Sequence, residues 1–265
     1  MIGVAGVDLR DAVRRAPLSL AGVERLDAAV LESAREHWRV HMAAEFASAR
    51  VFAGLVPQLM AAGADFADVR AATEMAQEEV EHGLMSARVY AALGGDPRSL
   101  LPPLEPVPDH ADARSPLEVV LRNVIAISCC GETLAVSVLG GERERATLEP
   151  LRAVLTRILS DEVGHSRFGW RLLGEVAGAL DLETKRRLTA YLVVLFERDL
   201  RVMIRAREHP RADWAALELG AADGELSWAT YRETMLEITV PGLDRVGLQA
   251  SWAFAKAEQR VLARA

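Results

Sequence analysis

Apolar residues recur every third or fourth position through most of the chain, and alternating β-branched runs are scarce. That period lays one side of a helix against a core. It predicts a first helix from about Val23 to Ala61, with Pro57 bending its last turns. The stretch AAGAD at 61–65 supplies a glycine stop and, in Asp65, an N-cap for the next helix. A second helix runs from about Phe66 to Leu93 and stops at Gly94-Gly95. The segment DPRSLLPPLEPVPDHADARSP (96–116) holds too many prolines for a regular helix and reads as a long connector. A third helix starts at Ser115-Pro116, with Pro at N1 and Glu118 at N3, and continues to about Gly140. A fourth runs from Thr147–Pro150 to about Leu180. Further helices are expected at Glu183–Glu208, Trp214–Leu217 and Glu225–Thr239, then from Leu243 onward after a break at Pro241-Gly242. Two long hairpins joined by one long crossover make an all-α four-helix bundle with a single crossover connection. The bundle is expected over 23–180. An N-terminal segment (1–22) precedes it and a C-terminal helical extension (181–265) packs on it.

Composition adds exclusions. Of 265 residues, 51% are apolar and 26% charged, enough for a sizeable core. A net charge of −7 argues against nucleic-acid binding, which needs a basic face. MIGVAGVDLRDAVRRAPL at the start does not read as a signal peptide. No stretch reaches the length of uncharged apolar sequence expected of a membrane span. Cys129 and Cys130, the only cysteines, are adjacent, so neither a disulfide framework nor a CxxC zinc pattern is expected. A cytoplasmic location fits best.

The unusual feature is acid on apolar faces. Glu162 and His165, in LSDEVGHSRFGW, are three residues apart and share a helix face. Glu79 and His82, in EEVEHGLM, repeat the spacing in the second helix. If those helices end the two hairpins, the other two should each bring one carboxylate at matching height. Glu45 is the candidate in the first, flanked by Met42, Ala49 and Phe52. Glu132 is the candidate in the third, the only charge between Arg122 and Glu142. Glu45 lies 18 residues before Gly63, and Glu79 lies 14 after Asp65. At about 1.5 Å per residue the levels differ by roughly a turn. Glu132 lies 13 residues before Arg145, and Glu162 lies 12 after Pro150, so their heights match if Gly140-Gly141 do not end the helix. Four buried carboxylates without cations are badly frustrated. Two divalent cations neutralise them, and mixed carboxylate and imidazole donors suit iron or manganese. Bridging carboxylates would hold the two ions close.

Glu, Glu-x-x-His, Glu, Glu-x-x-His in this order resembles the ferritin-like di-iron carboxylate superfamily over roughly residues 25–175. The resemblance implies a ferritin-like bundle with Glu45, Glu79, His82, Glu132, Glu162 and His165 as metal ligands. Asp161-Glu162-Val163-Gly164-His165 is similar to the Asp-Glu-x-x-His of ribonucleotide reductase small subunits and bacterial hydroxylases. By that likeness Asp161 would hold His82, and Glu78 would hold His165, fixing tautomers and raising ligand basicity. Ser86 stands where those reductase subunits carry a radical tyrosine, with Tyr90 a turn further on, which argues against a tyrosyl-radical role. Ala135 stands where rubrerythrins carry an extra glutamate, and Ile158 where arylamine N-oxygenases carry an extra histidine. Storage ferritins lack the long extension after the fourth helix. The spacing is nearer to acyl-carrier-protein desaturases and aldehyde-deformylating oxygenases.

His41, one turn before Glu45, reads either as a relay beside the ligand or as an ordinary half-buried histidine. His37 lies a turn further back. Cys129 either lines a cavity or is a small buried residue. Ser48, Gly83, Ser86, Ala135 and Gly169 either leave room for a substrate or let helices pack closely. Arg167 and Trp170 read as structural. The expected function is a dinuclear non-haem oxygenase or oxidase that activates O2 against a small organic substrate, with two ions per chain, Fe/Fe or containing Mn. A ferredoxin or flavin reductase would supply electrons, and a homodimer is expected. A catalase-like peroxidase and a ferroxidase or iron-handling protein are the rival readings of the same cage.

Overall fold

The computed structural model describes residues 6–100, 107–208 and 211–263. Strand β1 (Gly6–Asp8) leads into α1 (Arg10–Arg15), a 3-10 turn at Val23–Arg25, and the long helices α2 (Ala28–Ala61) and α3 (Phe66–Ala92). Strand β2 (Arg98–Leu100) follows. A helix then runs unbroken over Pro116–Arg145 as α4 (Pro116–Val124), a π-helical segment (Ile125–Glu132) and α5 (Thr133–Arg145). Next come α6 (Glu149–Ala177), α7 (Leu182–Arg207) and α8 (Trp214–Leu217). After α9 (Gly224–Thr234) a second π segment (Met235–Thr239) continues into α10 (Val240–Arg245), and α11 (Ala250–Leu262) completes the order. Part of the proline-rich connector and the first five residues lie outside the described residues.

Several boundaries differ from those expected. The first helix starts at Ala28 because Asp27 accepts the Ala29 amide at 2.8 Å and so caps it. Pro57 lies inside α2 without ending it. Asp65 occupies the N-cap position of α3, but its side chain makes no capping bond. Its carbonyl instead accepts from Asp68 and Val69. Gly140 and Gly141 do not stop the third helix, and neither has positive φ. Leu139, beside them, is buried, and burial of that apolar side chain offsets part of the roughly 1 kcal/mol each glycine costs in a helix. The fourth helix stops at Ala177 rather than near Leu180. The break expected at Pro241-Gly242 lies instead at Gly247, whose φ is +83. Gly242 is small for another reason: a Cβ there would fall 2.7 Å from the Trp170 ring.

The two-stranded pairing of β1 with β2, antiparallel with Gly6 opposite Leu100, has no counterpart in the sequence reading. A second correction concerns membrane spans. Pro116–Arg145 is long and apolar enough by length and composition to cross a membrane, although none was expected. Its buried Glu118, Arg122 and Glu132 are what a core helix of a polar-centred bundle carries.

The chain forms two compact units, interleaved in sequence. The first comprises 1–107, 139–161 and 212–222; the second comprises 108–138, 162–211 and 223–265. In the first, α2 and α3 pack as a hairpin. Trp38, Met42, Ala49, Phe52, Leu55 and Leu59 bury one face of α2 at helical spacing, and Trp38 Nε1 donates to the Leu219 carbonyl at 2.7 Å. In the second, α7 packs on α11 and α9, with Phe196 and Phe254 edge to face at 5.5 Å. Asp181 caps α7 by accepting the Thr184 amide at 2.7 Å.

Candidate metal centre

In the first unit the interior faces of α2 and α3 carry charge where apolar side chains are the rule. Glu45, Glu79 and His82 are all buried. Each offers a ligand atom, and these atoms lie within 4.8 Å of one another. His82 Nδ1 stands 3.9 Å from Glu45 Oε2 and 3.7 Å from Glu79 Oε2. Its other nitrogen, Nε2, donates to Asp161 Oδ2 at 3.1 Å. That partner fixes the tautomer, so the Nδ1 lone pair faces the two carboxylates. Arg157 reaches Asp161 Oδ1 at 2.8 Å, which orients the carboxylate.

His41 meets Glu45 directly, with Nδ1 2.9 Å from Oε1 and 3.2 Å from Ser86 Oγ. Burial pushes the Glu45 carboxyl up to about 7, against the pull of His41. One turn back, His37 Nε2 lies 3.4 Å from Glu142 Oε1. Burial, then the charges of His41 and Arg145, lower His37 to about 3. Burial raises Glu142 to about 7. Glu142 escaped the sequence reading because the helix was expected to end at Gly140, which would have left this acid in a turn.

In the second unit Glu132, Glu162 and His165 are likewise buried and offer ligand atoms within 4.8 Å of one another. His165 Nδ1 is 3.1 Å from Glu162 Oε2. Glu132 closes the π segment. The next residue, Thr133, is locked in place: its hydroxyl meets Ser166 Oγ at 2.8 Å and accepts from Trp170 Nε1 at 3.0 Å. Trp170 is therefore structural in a specific way, since it steadies the turn that presents Glu132. Nothing in the one-dimensional pattern marked the π segment, because one extra residue in a turn leaves composition unchanged.

The small residues beside these acids divide. A Cβ on Gly83 would fall 2.7 Å from the Phe46 ring, and one on Gly169 would fall 2.4 Å from Ser128 Cβ. Both glycines serve close packing. Cys129 is fully buried and packs against Gly169. Glu78 is half-buried on α3.

The sequence matches no family model and no curated protein. A solved structure, protein 19 with aldehyde deformylating oxidase activity from Synechococcus, is similar with a TM-score of 0.60 at 17% identity. The likeness covers 90% of this chain and 98% of that one. It shows an all-α, ferritin-like helical-bundle fold, on which clusters of buried glutamate and histidine could hold metal.

Proposed function

We propose that the chain is a dinuclear non-haem iron oxygenase or oxidase that takes two ions per chain, with Glu45, Glu79, His82, Glu132, Glu162 and His165 as the ligands. One observation carries the reading: six buried carboxylate and imidazole groups, in the order Glu45, Glu79–His82, Glu132, Glu162–His165, with each triad's donors within 4.8 Å. The donor set fits the group. Four carboxylates and two neutral imidazoles balance two dications, and hard oxygen with borderline nitrogen suits iron or manganese. Iron bound there would supply reductive activation of O2.

The chain's own residues bind, orient and exclude water. Asp161 holds His82 in the ligating tautomer, and His41 steadies Glu45 while standing ready to hold a proton at Nδ1. Thr133, Ser166 and Trp170 fix the turn that aims Glu132. Glu78 is assigned to His165 by the resemblance stated above. Dry helix faces around the acids shield a reactive species from water. The substrate is a small organic molecule. Aldehydes are the first class to test, because the Synechococcus protein is named for activity on them. A ferredoxin or flavin reductase supplies electrons, and the active form is a homodimer.

The test is elemental analysis of protein from iron-replete cells, followed by reduction and exposure to O2 with candidate aldehydes. We expect about two iron or manganese equivalents per chain, matching the charge balance, and O2-dependent loss of aldehyde. Metal near zero, unrecovered on reconstitution, overturns the assignment. Two equivalents with peroxide turnover or a large hollow oligomer would replace it with the peroxidase or iron-handling reading.

A further inference from the structure

Two helices of the second unit leave α-helical register, at Ile125–Glu132 and at Met235–Thr239, and the two π segments pack against each other. A π turn is rare, and folded proteins retain it chiefly beside functional sites. A half-open cavity of about 330 Å³ lies against both. Its wall is mainly apolar, from Ala126 and Leu134 on one helix, Met203 on α7, and Met235. None of the six proposed metal ligands lines it.

Tyr231 and the neighbouring pair Asp199 and Arg198 interrupt that wall. Tyr231 is only 2% exposed, and its hydroxyl has no hydrogen-bond partner among the described residues. A buried polar group without a partner costs on the order of 1–3 kcal/mol, so such a group at a cavity wall asks for a partner from outside the chain. The second group is Asp199, which accepts from Arg198 through Oδ1 at 3.0 Å. Its side chain is 23% exposed and lines the cavity, and Oδ2 takes no part in that bond. Asp199 is near enough for its charge, after burial itself, to help keep the Tyr231 hydroxyl protonated.

We propose that this cavity binds a neutral, mainly apolar small molecule carrying one hydroxyl group. Such a hydroxyl donates to Asp199 Oδ2 and accepts from the Tyr231 O–H, so both wall groups are satisfied at once. A carboxylate has no proton for Asp199 and is repelled by it. An ammonium cannot accept from Tyr231, and it brings net charge to a wall where Arg198 and Asp199 already cancel. The cavity volume falls in the range of small-molecule pockets. The site is independent of the proposed iron chemistry.

Isothermal titration of the full chain with 1-octanol, octanoate and octylamine tests the assignment. We expect saturable binding of one 1-octanol per chain, with the other two at least tenfold weaker. Tyr231→Phe should weaken 1-octanol about tenfold, at a melting temperature equal to or above the parent's, because the lost hydroxyl had no partner. Val202→Trp, at the exposed rim of the cavity, should abolish binding while the chain stays folded. No saturable binding, or binding unchanged in either variant, overturns the proposal. So does a lower melting temperature for Tyr231→Phe, which would mean that the hydroxyl has a partner within the fold.

Discussion

Glu118 and Glu142 lie on the same continuous helix, and both are buried, yet they live in opposite electrostatic settings. Burial pushes the Glu118 carboxyl up, but the guanidiniums of Arg187 and Arg122 and the Arg114 amide hold it below the usual carboxylate range. Arg122 reaches Oε1 at 2.5 Å, and Arg187 Nε at 3.1 Å. Glu142 meets His37, itself lowered by burial, and although His41 and Arg145 pull its carboxyl down, burial keeps it raised to about 7. Glu45 is of the second kind, raised to about 7 beside His41. The difference separates scaffold from site. An acid matched to guanidinium is complete as folded. An acid among imidazoles and other acids is complete only with a proton or a metal cation.

The sharpest way to break this contrast is to remove the cations. If metal completes the acids, chelation should lower stability by about 4 kcal/mol when free metal had stood at a thousand times its Kd, read as a fall in melting temperature. Glu79→Ala should cut bound metal from about two equivalents to one or none, the loss expected when one anion of a charge-balanced set is removed. Unchanged metal content would remove Glu79 from the centre.

The next test attacks the scaffold side. Arg122→Leu leaves Glu118 with the Arg187 guanidinium and the Arg114 amide, and should cost about 2–4 kcal/mol, somewhat below the full penalty for orphaning a buried charge. Urea unfolding measures it, and a change under 0.5 kcal/mol would mean that the pairing is dispensable. A third test uses pH on the metal-free protein. The Glu142 carboxyl is raised when folded, so its stability is complete below about 4.5 and is lost as pH rises towards 7 and beyond. His37 is lowered when folded, so its contribution is complete above 6.5 and is lost as pH falls towards 3. Maximum stability should therefore lie between pH 5 and 6 by linkage. Glu142→Gln should stabilise the metal-free chain at pH 8 by on the order of 2–3 kcal/mol and little at pH 5, seen in paired urea titrations. The smallest effect belongs to surface pairs. Breaking the exposed Arg70–Glu74 bridge with Arg70→Ala should change stability by no more than about 0.5 kcal/mol.

Much of the architecture was legible because helical burial is periodic. Trp38, Met42, Ala49 and Phe52 announce the α2 face by spacing alone, and glycine stops at Gly63 and Gly94 mark turns where φ is positive. The six acids and imidazoles were legible because charge on an apolar face is costly and therefore conspicuous. What escaped notice depends on contacts distant in sequence or on backbone register. Gly242 looks like a helix stop until the Trp170 ring is seen against it. Gly140-Gly141 look like another, yet the helix passes through them and carries Glu142 into the interior. The pairing of Gly6–Asp8 with Arg98–Leu100 joins segments too short to show alternation.

The π segment before Glu132 also bears on how tolerant this stretch is to change in length. An i→i+5 turn uses one residue more than an α turn. Deleting a single residue between Ile125 and Gly131 would let the helix relax to ordinary winding with the residues on its two sides still in phase. Glu132 and the Thr133 latch would keep their aim, and only the widened turn itself would be lost. A one-residue deletion in the regular winding of Thr133–Arg145 has no such slack, and would turn the residues beyond it by about 100°.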